Sequence, residues 1–364
     1  MLKQALKIIN KLEENGYVAY IVGGFVRDYI LGINSTDVDI ATTATPKEIM
    51  EIFQLNTLPK EEYGSITLYI KNDRFEITTF RKEIKYINNR KPIEFEYINS
   101  LLEDLNRRDF TINTLCMDKN GNIIDLLGGK KDIEKKIINT VGDSNYKFSQ
   151  DSLRILRAIR FATNLNFTLS EEVKSAIINN KSLLRKLSFS RKKQELDKIF
   201  SSKNSKYGVE LLLELKLDED LEIYNLDRIN LNNDIIGIWA SLTIGNRYEQ
   251  EFTKSEKEII NDVKEILKTG ITNYTLYKYG LYANQIVANM QNMDKSMVVG
   301  MYENLPIKMR KEIDLSSDDI RNVLNILPGP IYKTIYNDIE RKILNNEIKN
   351  NKSDIMIYIM NNYK

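Results

Sequence analysis

The sequence predicts an α+β protein: a mixed-sheet head over residues 1–140, then an all-helical remainder divided into a neck (141–205) and a body and tail (206–364). Three observations lead there. Short β-branched and aromatic runs separated by turn residues occur only in the first part. Beyond about residue 145 apolar residues recur at helical spacing. Only 6 prolines interrupt 364 residues, so long helices are permitted.

The chain opens with Met1 to Gly16, where Leu2, Ala5, Ile8, Ile9 and Leu12 form an apolar stripe among Lys, Gln, Asn and Glu, as in an amphipathic helix. Strands are expected over Tyr17 to Val22, Ser65 to Ile70, Phe75 to Phe80 and Phe110 to Met117. Helices are expected over Asp151 to Thr163, Glu171 to Asn179 and Arg191 to Phe200. No low-complexity linker and no fixed-period repeat breaks the chain.

Composition removes several kinds of chemistry. There is no histidine, which excludes a Ser-His-Asp triad, a Cys-His dyad and histidine-bound zinc. Acid, base and metal chemistry must then run on carboxylates, Lys, Arg or Tyr. The single cysteine, Cys116, cannot form an internal disulfide; in its apolar run it reads as a core residue of a protein in the reducing cytoplasm. No apolar segment approaches the roughly 20 residues that span a bilayer, so no membrane role is expected. The net charge of only +2 means that a polyanionic partner must be held by a local basic surface.

The strongest local pattern is Ile21-Val22-Gly23-Gly24-Phe25-Val26-Arg27-Asp28, then Gly32, then Thr36-Asp37-Val38-Asp39-Ile40. A strand ends in two glycines, a helix begins, and a second strand carries alternate acids. Side chains alternate along a strand, so Asp37 and Asp39 share one face. Two carboxylates beside a substrate phosphate suit Mg²⁺, which takes oxygen ligands and rarely more than one or two from protein. A pair of such ions about 3.5–4 Å apart would clamp the attacking and leaving oxygens of a phosphoryl displacement. Gly23 and Gly24 let backbone amides approach a triphosphate at a helix N-terminus, and Arg27 can fork onto phosphate or ribose oxygens. Glu76, on the expected strand Phe75 to Phe80, is the candidate third acid.

The stretch from Val22 to Thr43 resembles the nucleotide-binding signature of the class II tRNA nucleotidyltransferase and bacterial poly(A) polymerase family. Asp104 to Asn113 resembles its second motif, Asp125-Leu126-Leu127-Gly128-Gly129 its third, and Gln150 to Phe161 its fourth. Leu187 to Leu196 is similar to a fifth, keeping Arg191, Glu195 and Leu196 but placing Ser190 where an acid is usual. The tail from Pro328 to Ile331, with Lys342 to Asn351, resembles the tRNA-gripping end of Gram-positive members.

The resemblance implies a polymerase-β-like nucleotidyltransferase head and template-independent addition of CCA to the tRNA 3′ end from CTP and ATP, with Mg²⁺. It places sugar and phosphate contacts on Arg108, with Asp109 and Asn113 beside it; Arg107 reads instead as a basic edge. Base selection falls to Asp151 and Arg154, whose stripe continues through Arg157 and Arg160. Cytosine and adenine both present an exocyclic amine beside an unprotonated ring nitrogen. A carboxylate and a guanidinium therefore match both and reject uracil and guanine. Gln150 departs from the family's Glu and loses a charge that could orient an arginine. The segment Arg81 to Glu96, with Arg90-Lys91-Pro92 at its centre, has the length and hydrophilicity of a mobile lid, which favours complete CCA addition over CC addition. An A-adding enzyme with a separate CC-adding partner, a poly(A) polymerase and a non-catalytic RNA-binding descendant stand as alternatives.

Overall fold

The computed structural model describes residues 1–55, 64–71, 73–87, 91–244 and 251–364. It divides into two compact units, Met1–Tyr224 and Asn225–Lys364.

In the first unit, α1 (Leu2–Glu14) buries Ala5, Ile8, Ile9 and Leu12, the stripe read from the sequence. β1 (Ala19–Val22), α2 (Gly24–Leu31) and β2 (Asp37–Thr42) follow. α3 (Pro46–Phe53) starts at a capping box in which Thr45 and Glu48 satisfy each other's backbone amides. Next come β3 (Ser65–Ile70) and β4 (Asp73–Thr79), a ribbon of β5 (Arg81–Ile87) and β6 (Lys91–Tyr97), and α4 (Leu101–Asn106). β7 (Cys116–Met117) and β8 (Ile123–Ile124) complete a six-stranded sheet of order β3-β4-β2-β1-β7-β8.

That sheet is mixed. β1 runs antiparallel to β2 and β7, whereas β2 runs parallel to β4. The parallel register sets Asp37 opposite Arg74 and Asp39 opposite Glu76. Val38, Ile40, Phe75 and Ile77, on the other face, are buried. This alternation turns the carboxylates away from the core.

The expected strand over Phe110 to Met117 forms only at its end. Phe110 makes an isolated bridge to Thr140, and Thr111–Asn113 is a 3-10 turn. The Thr111 hydroxyl donates to the distant Asp132 at 2.6 Å and Thr114 turns its hydroxyl back onto the Thr111 carbonyl, so side-chain bonds, one long-range and one local, displace the ladder. A Cβ on Gly129 would lie 2.4 Å from the Thr111 carbonyl oxygen, so only glycine permits this packing.

α5 (Gly129–Lys135), β9 (Ile137–Ile138), α6 (Ser144–Gln150), α7 (Leu153–Leu165), β10 (Thr168–Leu169), α8 (Glu171–Asn180), α9 (Phe189–Phe200), α10 (Ser205–Glu214) and α11 (Asp218–Leu221) complete the unit. Strands do not vanish after residue 145, since β10 pairs in parallel with β9. The helix expected from Asp151 begins two residues later: Asp151 is extended, with φ −143° and ψ 100°, and its carboxylate caps the Leu153 amide at 3.1 Å.

Apart from the two-residue strand Thr243–Ile244, which departs from the all-helical expectation, the second unit is helical: α12 (Ile235–Ser241), α13 (Lys254–Thr269), α14 (Asn273–Met290), α15 (Lys295–Glu303), α16 (Ser317–Leu324), α17 (Pro330–Leu344) and α18 (Lys352–Tyr363). Leu276, Val298, Ile320, Ile335, Ile339 and Ile355 share its core. Gly280 breaks α14 at φ 76°, ψ 175°, and the fully buried Asn284 bridges the break by donating to the Gly280 and Thr275 carbonyls. Among the described residues no helix is long and apolar enough to cross a membrane.

Candidate active site

A cleft of about 450 Å³ in the first unit is lined by the β1–α2 turn, β2, the turn after α4, and α7. Its size falls within the roughly 300–1,000 Å³ of small-molecule sites. Gly23 forms the turn at φ 76° and ψ −135°; a Cβ there would lie 3.4 Å from Arg108 Nη1 and 3.7 Å from Asp39 Oδ2. Glycine therefore brings backbone up to both groups.

Along the sheet edge, Asp37 is open to solvent and Asp39 opens into the cleft. Protein packed around Asp39, then the negative charges of Glu76 and Asp37, hold its pKa above the usual carboxylate value against Arg108 and Arg74. A carboxylate so placed gains from a cation. Arg74 supplies part of one, with its guanidinium 2.9 Å from Glu76 and 4.0 Å from Asp37. Among the described residues no three acids are already gathered into a cation cage. Two carboxylates on one face, completed by substrate oxygens, remain a fit for a hard divalent ion.

Opposite the acids lies a network of buried charge. Asp104, fully buried, accepts from Arg107 Nε at 2.8 Å and from Arg108 Nη2 at 3.3 Å. Arg108 Nε is buried without a hydrogen-bond partner, so this side chain keeps a donor to spare beside the cleft. Burial alone would raise the Asp109 pKa, but its pairing with Arg157, helped by Arg154 and Asn113, lowers it to about 2. Arg27, 8% exposed, is spent inside the protein: it donates to Asp28 at 2.7 and 2.8 Å and to Asn113 Oδ1 at 2.7 Å.

At the α6–α7 break, Asp151 and Arg154 both face the cleft. Burial pushes the Asp151 pKa up, against the pull of Arg154, the Leu153 amide, Arg157 and Arg191. Arg154 is held from behind, donating to the Lys147 carbonyl at 3.1 Å, Gln150 Oε1 at 3.2 Å and the Arg107 carbonyl at 3.4 Å. Gln150 thus still supports the arginine, through a neutral acceptor.

Residues 19–139 match the poly A polymerase head domain, residues 166–221 the RNA and SrmB-binding site of polymerase A, and residues 239–359 tRNA nucleotidyltransferase domain 2. The CCA-adding enzyme of Anoxybacillus flavithermus is 34% identical, the alignment covering 100% of this chain and 98% of that one. For the CCA-adding enzyme of Bacillus subtilis the identity is 34%, over 97% and 96%. The chain belongs to the CCA-adding enzyme family.

Solved structures agree. The Bacillus stearothermophilus CCA-adding enzyme in complex with CTP superposes with a TM-score of 0.82 at 28% identity, over 99% of this chain and 97% of that one. The Thermotoga maritima CCA-adding enzyme complexed with tRNA gives 0.71 at 20% identity, over 100% and 95%, a likeness of fold alone. The nucleotidyl-transfer chemistry of the CCA-adding family implies a divalent metal.

Of the residues singled out from the sequence, Gly23, Gly24, Arg27, Asp39, Arg108, Asp109, Asn113, Asp151, Arg154 and Arg157 line the one cleft. Asp37 and Glu76 stand beside it on the sheet face. Arg160 does not line it; it pairs with Glu195 of α9 at 3.2 Å, so the fifth motif ties two helices together. Arg107, read as a basic edge, is instead held between Asp104 and Glu83 and lines the cleft. Phe161 was not singled out; its ring lies 5.3, 5.5 and 4.5 Å from the guanidinium carbons of Arg27, Arg157 and Arg160. Its place directly after Arg157 and Arg160 on the helix was the available signal. The expected lid forms the β5–β6 ribbon, with Arg81 opposite Tyr97; Arg90 at its centre lies outside the described residues.

Proposed function

We propose that this chain builds and repairs the 3′-terminal CCA of tRNA in the cytoplasm, adding C and A from CTP and ATP without a nucleic-acid template and releasing pyrophosphate. The observation that carries the reading is a single cleft joining the carboxylate edge of β2 to Arg108 and to the Asp151–Arg154 pair, in a chain alignable end to end with CCA-adding enzymes.

The residues divide the work. Asp37 and Asp39 would hold Mg²⁺, with Glu76 as the third acid, and the chemistry such an ion would supply there is charge neutralisation at the reacting phosphate and a lower pKa for the acceptor hydroxyl. Arg108 and the Gly24 amide at the start of α2 orient the triphosphate; the Gly23 amide, expected to join it, instead donates to the Leu115 carbonyl at 3.0 Å. Asp109, buried and ionised, fixes Arg157 and with it the wall of the cleft. The acceptor 3′ oxygen gives up its proton to solvent and forms the new bond to the α-phosphorus, and the bond from that phosphorus to the β-phosphate bridging oxygen breaks, its electron pair leaving with pyrophosphate. Positioning and electrostatics supply the rate.

Asp151 accepts from the exocyclic amine of C or A while Arg154 donates to the ring nitrogen. A site built on such bonds reaches roughly 10⁴–10⁵ in selectivity, because a wrong base leaves buried groups unpaired. In this reading residues 1–140 carry transfer and 141–205 base choice, while 206–364 hold the tRNA by shape and backbone.

The test is extension of three tRNAs, ending in the discriminator base, in C, or in CC, with purified protein, Mg²⁺ and CTP or ATP. Completion of all three to CCA is the expected result. AMP addition to the CC-ended tRNA alone would make the protein an A-adding enzyme, and no extension of any would overturn the proposal.

A further inference from the structure

Helix α4 ends at Asn106, and the carbonyls of a helix's last turn lack partners within the helix. Here three successive carbonyls are taken up by two cations from the helices beyond. Lys147 Nζ donates to the Asn106 carbonyl at 2.6 Å and to the Arg108 carbonyl at 3.0 Å. Arg154 Nη2 donates to the Arg107 carbonyl between them at 3.4 Å. The Lys147 carbonyl in turn accepts from Arg154 Nη1 at 3.1 Å. Lys147 is 6% exposed and does not line the nucleotide cleft, so it acts through its neighbours.

We propose that Lys147 is a positioning residue that couples the two halves of the nucleotide site, its ammonium setting where Arg108 meets the phosphates while its carbonyl sets where Arg154 meets the base. The inference rests on the nucleotide-site reading above.

The charge of that ammonium matters, because a charge-assisted hydrogen bond is roughly twice as strong as a neutral one. Burial first, then the cations Arg154 and Arg107, lower the Lys147 pKa to about 8, against the opposing pull of Asp109 and Glu83. These come from α7, from the turn after α4 and from β5; Lys82 of β5, Glu103 of α4 and Tyr146 of α6 face the adjoining hollow of about 250 Å³. The grip therefore weakens as pH rises through about 8 and Lys147 loses its proton. An arginine there would stay charged and could still donate to both carbonyls.

The experiment is calorimetric binding of CTP and ATP to the full chain, without tRNA so that no transfer occurs, from about pH 7 to about pH 9.5. Circular dichroism checks folding throughout. The expected result for the unaltered protein is a Kd that rises about tenfold across the range. Lys147→Arg should hold its pH 7 affinity throughout, and Lys147→Met should bind as weakly at pH 7 as the unaltered protein does at the alkaline end. A flat Kd in the unaltered protein, or the same alkaline loss in Lys147→Arg, overturns the coupling while leaving the nucleotide site standing. No binding of CTP or ATP at pH 7 would remove the nucleotide site itself, and the coupling with it.

Discussion

The two compact units treat charge in opposite ways. The first buries Arg27, Asp104, Asp109, Lys147, Arg154, Lys192, Glu195 and Asp220, whereas among the described residues of the second only Glu340 is a buried Asp, Glu, Lys or Arg. Burying charge costs stability unless each group is paired, and even a good pair rarely outperforms apolar packing. The second unit follows that economy, with a core of Ile, Leu, Val and Tyr. The first accepts the cost, and Arg27, Asp109 and Arg154 of that set line the cleft where chemistry is done.

Variants of both units can break or sharpen that contrast. The largest effect is expected from Asp39→Ala, which should slow nucleotide addition about a thousandfold, or about 4 kcal/mol, with little change in melting temperature. Single-turnover rates at saturating Mg²⁺ check it, and near-normal transfer would remove the metal assignment. Asp109→Ala should act on stability, costing about 3 kcal/mol by leaving Arg157 without its partner. Because the folded-state pKa of Asp109 is depressed to about 2, its stabilising contribution is fully present above the ordinary carboxylate pKa and is lost as pH falls toward 2. Urea unfolding of both proteins between neutral and acid pH should show the gap between them closing on acidification.

In the second unit, Asn284→Ala should cost about 2 kcal/mol, since it strands the Gly280 and Thr275 carbonyls in an apolar setting. If urea unfolding shows no change, Asn284 does not hold the α14 break. Arg154→Ala should lower the preference for CTP and ATP over UTP and GTP at least about tenfold, or about 1.4 kcal/mol, while some transfer survives. Unchanged preference in competition assays would end its assignment to the base. The smallest effect belongs to Lys352→Ala, since that side chain is exposed and its partner Asp319 still accepts from the Ser316 amide and hydroxyl; melting temperature should not move measurably.

Local pattern carried much of the architecture. The apolar stripe of α1, the strand Ser65–Ile70 and the helices of the neck follow from periodicities that each segment contains within itself. Phe110 to Met117 misled because an apolar run has the same appearance in a strand as in a buried turn, and the deciding bond from Thr111 to Asp132 spans 21 residues. Asp151 misled for a related reason: an acid just ahead of an apolar helical run serves equally as its first residue or as a cap before it, and only the backbone angles decide.

The sequence by itself determined that the molecule is an α+β head with a helical remainder, that its chemistry runs without histidine, and that Asp37 and Asp39 share a face, because composition and side-chain alternation are local properties. Only the tertiary structure decided that Glu76 stands beside Asp39, that Arg107 faces the cleft while Arg160 is turned to Glu195, and that Lys147 holds the turn carrying Arg108. Those outcomes depend on which distant carboxylate or carbonyl each cation meets once burial has removed water as a partner.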